Sequence, residues 1–172
     1  VFTQYTPKDK GVFLSQLNTT HLRSLFNTLE ADKIAVFNHL TPTTQCKALM
    51  HESPEERQRI WRTLSKSQQH AIVSQGNYED VAELLFFLDD TDRDNAFLAC
   101  DTARQGLILV ALNKPEQLDI RLQLLKKLSL EQQANILSIG AKNGIAYGSD
   151  AYLLGFQFFK LLPIEQRLSV FL

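Results

Sequence analysis

Apolar pairs recur along this chain at a fixed distance from a short polar residue. If each copy is counted from a leading residue as zero, the copies begin at Leu17, Leu29, Leu40, Glu52, Leu64, Gly76 and Leu88, spaced 12, 11, 12, 12, 12 and 12 residues apart. Position plus one is Asn18, Thr41, Ser53, Ser65, Asn77 or Asp89. Positions plus eight and nine are Leu25–Phe26, Ala48–Leu49, Ile60–Trp61, Ile72–Val73, Leu84–Leu85 and Ala96–Phe97. The copy at Leu29 is one residue short and places Val36–Phe37 there. Later copies carry Ser129 with Ile136–Leu137, and Val170–Phe171 near the end.

The physics of this pattern is helix initiation. A short polar side chain can accept a hydrogen bond from a free N–H of the first helical turn. A Glu or Gln three residues later completes a capping box. Ser53 with Glu56, Ser65 with Gln68, and Ser129 with Gln132 fit this spacing. Pro42, Pro54 and Pro163 fall at the first helical position, where a missing N–H costs nothing. The acids Glu55, Glu79 and Glu131 suit the positive end of the helix dipole. Capping accounts for the recurring Gln and Glu. Gln133 has no capping role in this scheme, and its replacement is expected to do little.

Each copy therefore predicts a helix of roughly eight to ten residues and a tight turn. Helices this short are unstable alone and must stack on neighbours. The expected fold is all-α, a superhelical α-solenoid of about ten or more short helices with a period of about 12 residues. Residues 1–172 read as a single helical-repeat domain, regular over 12–100 and less regular over 101–172. "GLILVAL" (106–112) could be buried helix or strand, and "LDIRLQL" (118–124) alternates as a strand would. The helix start "NKPEQ" and the helix-forming Leu, Gln, Arg and Lys favour helix for both. The glycine-punctuated "GAKNGIAYGSD" (140–150) predicts a loop. Without a Lys-Ser/Thr ending or a preceding strand, it does not read as a phosphate cradle.

Composition narrows the function classes. Apolar residues make up 44% of 172 residues, enough for a packed core. A net charge of −1 argues against a dedicated nucleic-acid surface. Two cysteines, Cys46 and Cys100, make no disulfide framework and suggest a reducing, cytoplasmic compartment. No apolar run approaches the roughly 20 residues of a membrane span. The chain begins at Val1 and stops at "SVFL", in what reads as mid-helix, so a processed chain or a fragment of a longer one is expected. A bacterial protein delivered into a host cell is compatible with these features.

The phrase "LSLEQQANIL" (128–137), with Pro or Ser at the helix start and a dozen-residue repeat, resembles the N-terminal superhelical domain of MgtE-type magnesium transporters. It is also similar to the helical repeats of the flagellar rotor protein FliG. The resemblance covers about residues 12–100 and 126–172 and implies a right-handed stack of short helices. It carries no function over. The regulatory and membrane modules of the transporter family are not present, and its cytosolic domain is more acidic than this chain.

Several clusters suggest chemistry. Asp90, Asp92 and Asp94 have the spacing of a calcium loop that closes at Asp101. Asn95 replaces the turning Gly and Leu98 stands at position nine, so no metal site is expected, and added calcium should not stabilise the protein. Cys46 with His51 and Cys100 with Asp101 suggest a thiol enzyme, but residues five apart on one helix face different ways. His21, His39, His51 and His70 come from different copies, without carboxylates in metal-site spacing. Arg57, Arg59, Arg62 and Lys66 surround Trp61, the composition of an interface hot spot, although a solvated charged face beside a core Trp is the plainer reading. Tyr152, Phe156, Phe158 and Phe159 make the helix expected over 151–162 apolar nearly all round. That helix is core or interface.

The sequence thus points to a scaffold that binds another protein, or another domain of its own chain, and needs no cofactor. Its partner residues are Tyr152, Phe156, Phe158 and Phe159, where a homodimer is one option, together with Arg57, Arg59 and Arg62. The alternatives are an enzyme or an enzyme's accessory domain, with a site in the second half, and a cation-sensing regulatory domain.

Overall fold

The structure, a computed structural model, describes residues 4–136. Every regular element among them is helical. In chain order these are α1 (Pro7–Leu14), α2 (Thr19–Phe26), α3 (Lys33–Phe37), α4 (Pro42–Met50), α5 (Pro54–Thr63), α6 (Lys66–Gln75), α7 (Tyr78–Phe87), α8 (Asp90–Leu98), α9 (Thr102–Ala111) and α10 (Leu118–Lys126). Short 3-10 turns lie at Glu30–Asp32 and Pro115–Gln117, and residues 130–136 are helical. The alternating stretch 118–124 thus lies in a helix, as its residue types favour over its periodicity.

The starts of the helices follow from their caps. Thr6, Asn18, Thr41, Ser53, Ser65, Asn77 and Asp101 each accept a hydrogen bond from a first-turn N–H. Ser65 with Gln68 closes both arms of a capping box. So does Ser129 with Gln132, whose bonds are 3.0 and 3.2 Å. The third expected box differs. Ser53 caps Glu56 N–H at 3.2 Å, but the Glu56 carboxylate is gripped from both oxygens by Arg59 at 2.7 and 2.6 Å. Asp101, the twelfth residue of the calcium-loop pattern, is the N-cap of α9 and accepts from Arg104 N–H at 2.7 Å.

The chain divides into two compact units, Val1–Asp90 and Thr91–Leu172. In the first unit α4 is the central helix and packs against α2, α5, α6 and α7. Its strongest partners, α6 and α7, are the second and third helices along the chain, so packing is not confined to sequence neighbours. Ile60, Trp61, Ile72, Val73, Leu84 and Leu85 are fully buried, which is the stripe expected from positions plus eight and nine. Gly76 stands where several other copies have leucine, and a side chain there would press on the Ile72 carbonyl of α6, 2.7 Å away, and on α7 and α4. A Cβ there would lie 2.8 Å from Val81 Cγ2 and 3.3 Å from Cys46 Cβ. In the second unit α10 packs on α9. Gly106 of α9 sits against Ile136, 3.4 Å from where its Cβ would be.

Two cation–carboxylate pairs lie inside the first unit. Lys10 Nζ donates to Asp32 at 2.6 Å, with the lysine buried. Lys33 Nζ donates to both oxygens of Glu52 at 3.0 and 2.9 Å, and also sits 5.3 Å above the Phe26 ring. Glu52 is buried at a position filled by leucine in several other copies, and Lys33 is what makes that burial tolerable.

Candidate functional site

A second set of recurring polar residues is buried. Gln45 Nε2 donates to the Phe37 carbonyl at 2.9 Å, Gln69 Nε2 to Trp61 at 2.9 Å, Gln105 Nε2 to Phe97 at 3.3 Å and Gln133 Nε2 to Leu125 at 3.1 Å. Each acceptor lies eight residues earlier, in the last turn of the preceding helix. The same carbonyl accepts the backbone N–H three residues after it, from Leu40, Leu64, Cys100 and Leu128 in turn. The side chain thus fills the second lone pair of a carbonyl that the end of a helix leaves exposed. This corrects the expectation for Gln133. It is 3% exposed and also bonds the Leu128 carbonyl at 2.9 Å, so it is a structural residue.

Arg57 occupies the equivalent place in α5. Its Nε donates to the Leu49 carbonyl at 2.9 Å and its Nη2 to those of Glu52 at 3.0 Å and Met50 at 3.5 Å. The residue is 4% exposed, and burial pulls its guanidinium below the ordinary arginine range. A guanidinium is larger than an amide, and beyond the carbonyls it lies over the Phe87 ring, with Cζ 4.4 Å from the ring centroid. Phe87 is 41% exposed, and Phe86 meets it edge-on at 5.1 Å. Arg62 and Gln58 reach the Asp89 carboxylate at 2.6 and 2.8 Å, joining α5 to the turn between α7 and α8.

Of the three arginines singled out in the sequence, Arg59 and Arg62 face solvent and Arg57 points inward. Phe87 was missed because it follows the expected stripe in α7 and belongs to no repeated position. Arg57 and Phe87 thus make an exposed aromatic ring pinned by a buried cation, and the exposed Arg62–Asp89 pair ties α5 to the chain just beyond that ring. Such a face offers a partner a rigid apolar contact with a polar rim. Tyr152, Phe156, Phe158 and Phe159 lie outside the described residues.

The other candidates separate. Asp90, Asp92 and Asp94 lie on a helix rather than a loop, and Asp94 Oδ2 is bound by Lys127 at 2.6 Å. No three His, Cys, Asp or Glu side chains among the described residues gather as a metal site would require. Cys46 and Cys100 are buried, and they are not joined to each other in a disulfide. Burial pushes the Cys100 thiol up to about 11, so it stays protonated and its Sγ donates to the Ala96 carbonyl at 3.6 Å. No helix among the described residues is long and apolar enough to cross a membrane. Comparison with protein-family models, curated proteins and solved structures finds no match.

Proposed function

We propose that this chain is a helical-repeat scaffold without catalysis of its own, and that it binds another protein, or another domain of the same chain, through the α5–α7 face. The observation that carries this reading is the exposed Phe87 ring held on the buried Arg57. Large exposed aromatics fixed in one orientation lose little entropy on binding. The recurring polar residues that could suggest repeated chemistry are used to cap and close helices.

The reading extends to the architecture. The short helices are units of an α-solenoid with a period of about 12 residues, akin to the superhelical domain of MgtE-type transporters and the repeats of FliG. The side-chain caps at Thr41, Ser53, Ser65 and Asn77, each 12 residues after the last, support it. Two buried cysteines that are not joined in a disulfide fit a reducing cytoplasmic setting.

A photo-crosslinking residue placed at Phe87 in the full chain tests the face. A discrete adduct is expected in extracts of the source cell, lost when Arg62 is changed to Glu, and absent when the crosslinker is placed at exposed Ser67 on α6. Equal labelling from both positions, or none from either, would sink the proposed face.

A further inference from the structure

His51 caps the C-terminal end of α4, its N–H bonding the Ala48 and Leu49 carbonyls. Its Nε2 is buried and has no hydrogen-bond partner among the described residues. Charged groups surround it from several helices. Arg23 of α2 opposes a positive imidazole, while Asp80 of α7 and the adjacent Glu52 favour one. Glu52 is already held through both oxygens by Lys33 of α3, and the Glu52 carbonyl by Arg57 of α5. The ionisable residues of α6, Lys66 and His70, are exposed.

We propose that His51 is an acid-sensitive joint of the first unit, where a second proton on the imidazole loosens the junction of α4 and α5. A buried N–H⁺ needs an acceptor. To find one, the ring must swing toward water, or Glu52 must leave Lys33. Either movement disturbs the turn that carries the Glu52, Met50 and Leu49 carbonyls, and with it the seat of Arg57.

The direction of the pH effect follows from linkage. Burial first, then Arg23, holds His51 below its ordinary value of 6.5. The opened chain therefore takes the proton more readily than the closed one. The closed form is fully favoured above pH 6.5 and loses that advantage as the pH falls through the lowered value. Acid opens the joint and alkali does not.

Trp61 is the only tryptophan in the chain and is fully buried near the end of α5, so its emission reports whether α5 stays packed when the turn before it loosens. Between about pH 7.5 and about pH 5, above the range where ordinary carboxylates titrate, the full chain should show a red shift of Trp61 emission. Amide exchange over residues 49–57, corrected for its intrinsic pH dependence, should quicken several-fold. His51→Gln should abolish both changes, and His21→Gln, at an exposed site, should leave them intact. The same acid transition in His51→Gln, or no transition in the wild type, overturns the proposal. If His51→Gln fails to fold, the wild type alone decides. Its His51 imidazole resonances must then titrate together with the Trp61 shift, and titration of His51 without that shift overturns the proposal equally.

Discussion

Helices α5 and α6 share one template and use it differently. In α6 both recurring polar residues serve the helix ends. Gln68 closes the capping box with Ser65, and Gln69 seals the Trp61 carbonyl. In α5 the same two positions hold Glu56 and Arg57. Glu56 pairs with Arg59, and Arg57 seals Leu49 but runs on to the Phe87 ring. An amide ends where the carbonyl is satisfied, whereas a guanidinium has donors and a flat face to spare. One step in side-chain size thus turns a purely internal fastening into one that also supports a surface.

Removing the guanidinium should have the largest effect. Arg57→Ala removes the guanidinium from three carbonyls, of which Leu49 keeps backbone donors, and leaves an empty space where the side chain was buried, so it should lower unfolding stability by about 3 kcal/mol in urea titrations. Arg57→Gln sharpens the contrast, because it converts α5 to the α6 pattern. It should restore much of that stability while releasing Phe87, so crosslinking from position 87 should fall although the fold persists. Full crosslinking in Arg57→Gln would break the link between the inner fastening and the outer face.

Gln69→Ala and Gln133→Ala should each cost about 2 kcal/mol, since each leaves a buried helix-end carbonyl short of a partner. Ser129→Ala removes only an exposed cap and should cost about 1 kcal/mol by the same urea assay. If Gln133→Ala proved milder than Ser129→Ala, the buried bond would not be the stronger of the two. The smallest effect belongs to Arg59→Ala. Its partner Glu56 is on the surface and the pair is three residues apart on one helix, so thermal unfolding should not change measurably.

These cases show where the sequence was readable. Ser65, Ser129 and Asn77 announced helix starts because capping is a contact between residues two or three positions apart. Ile60 with Trp61 and Ile72 with Val73 announced the core because burial follows apolar character. The role of Gln69 and Gln133 was present as a recurrence of Gln, yet it was absorbed into the capping of the residue before each. Their target lies in a different helix, and only the path of the turn brings it within reach. Arg57 read as surface because an arginine between charged neighbours is ordinarily solvated. Lys33 with Glu52, and Arg57 with Phe87, are pairs across 19 and 30 residues, and spacing along the chain carries no trace of them.

The eight-residue reach of the buried glutamines also constrains how such a chain can change length. A glutamine seated in one turn finds its carbonyl only if the residues between them are neither more nor fewer. Losing or gaining one residue in the loop after Trp61 or Phe97 would carry Gln69 or Gln105 past its acceptor and rotate the next helix's apolar stripe out of the core. Growth by duplication of whole units keeps every such distance, whereas single-codon insertions do not. The stretch 112–117, which contains a 3-10 turn ahead of α10, is a place where extra length is already accommodated, and it should tolerate further insertion better than any turn between α4 and α7.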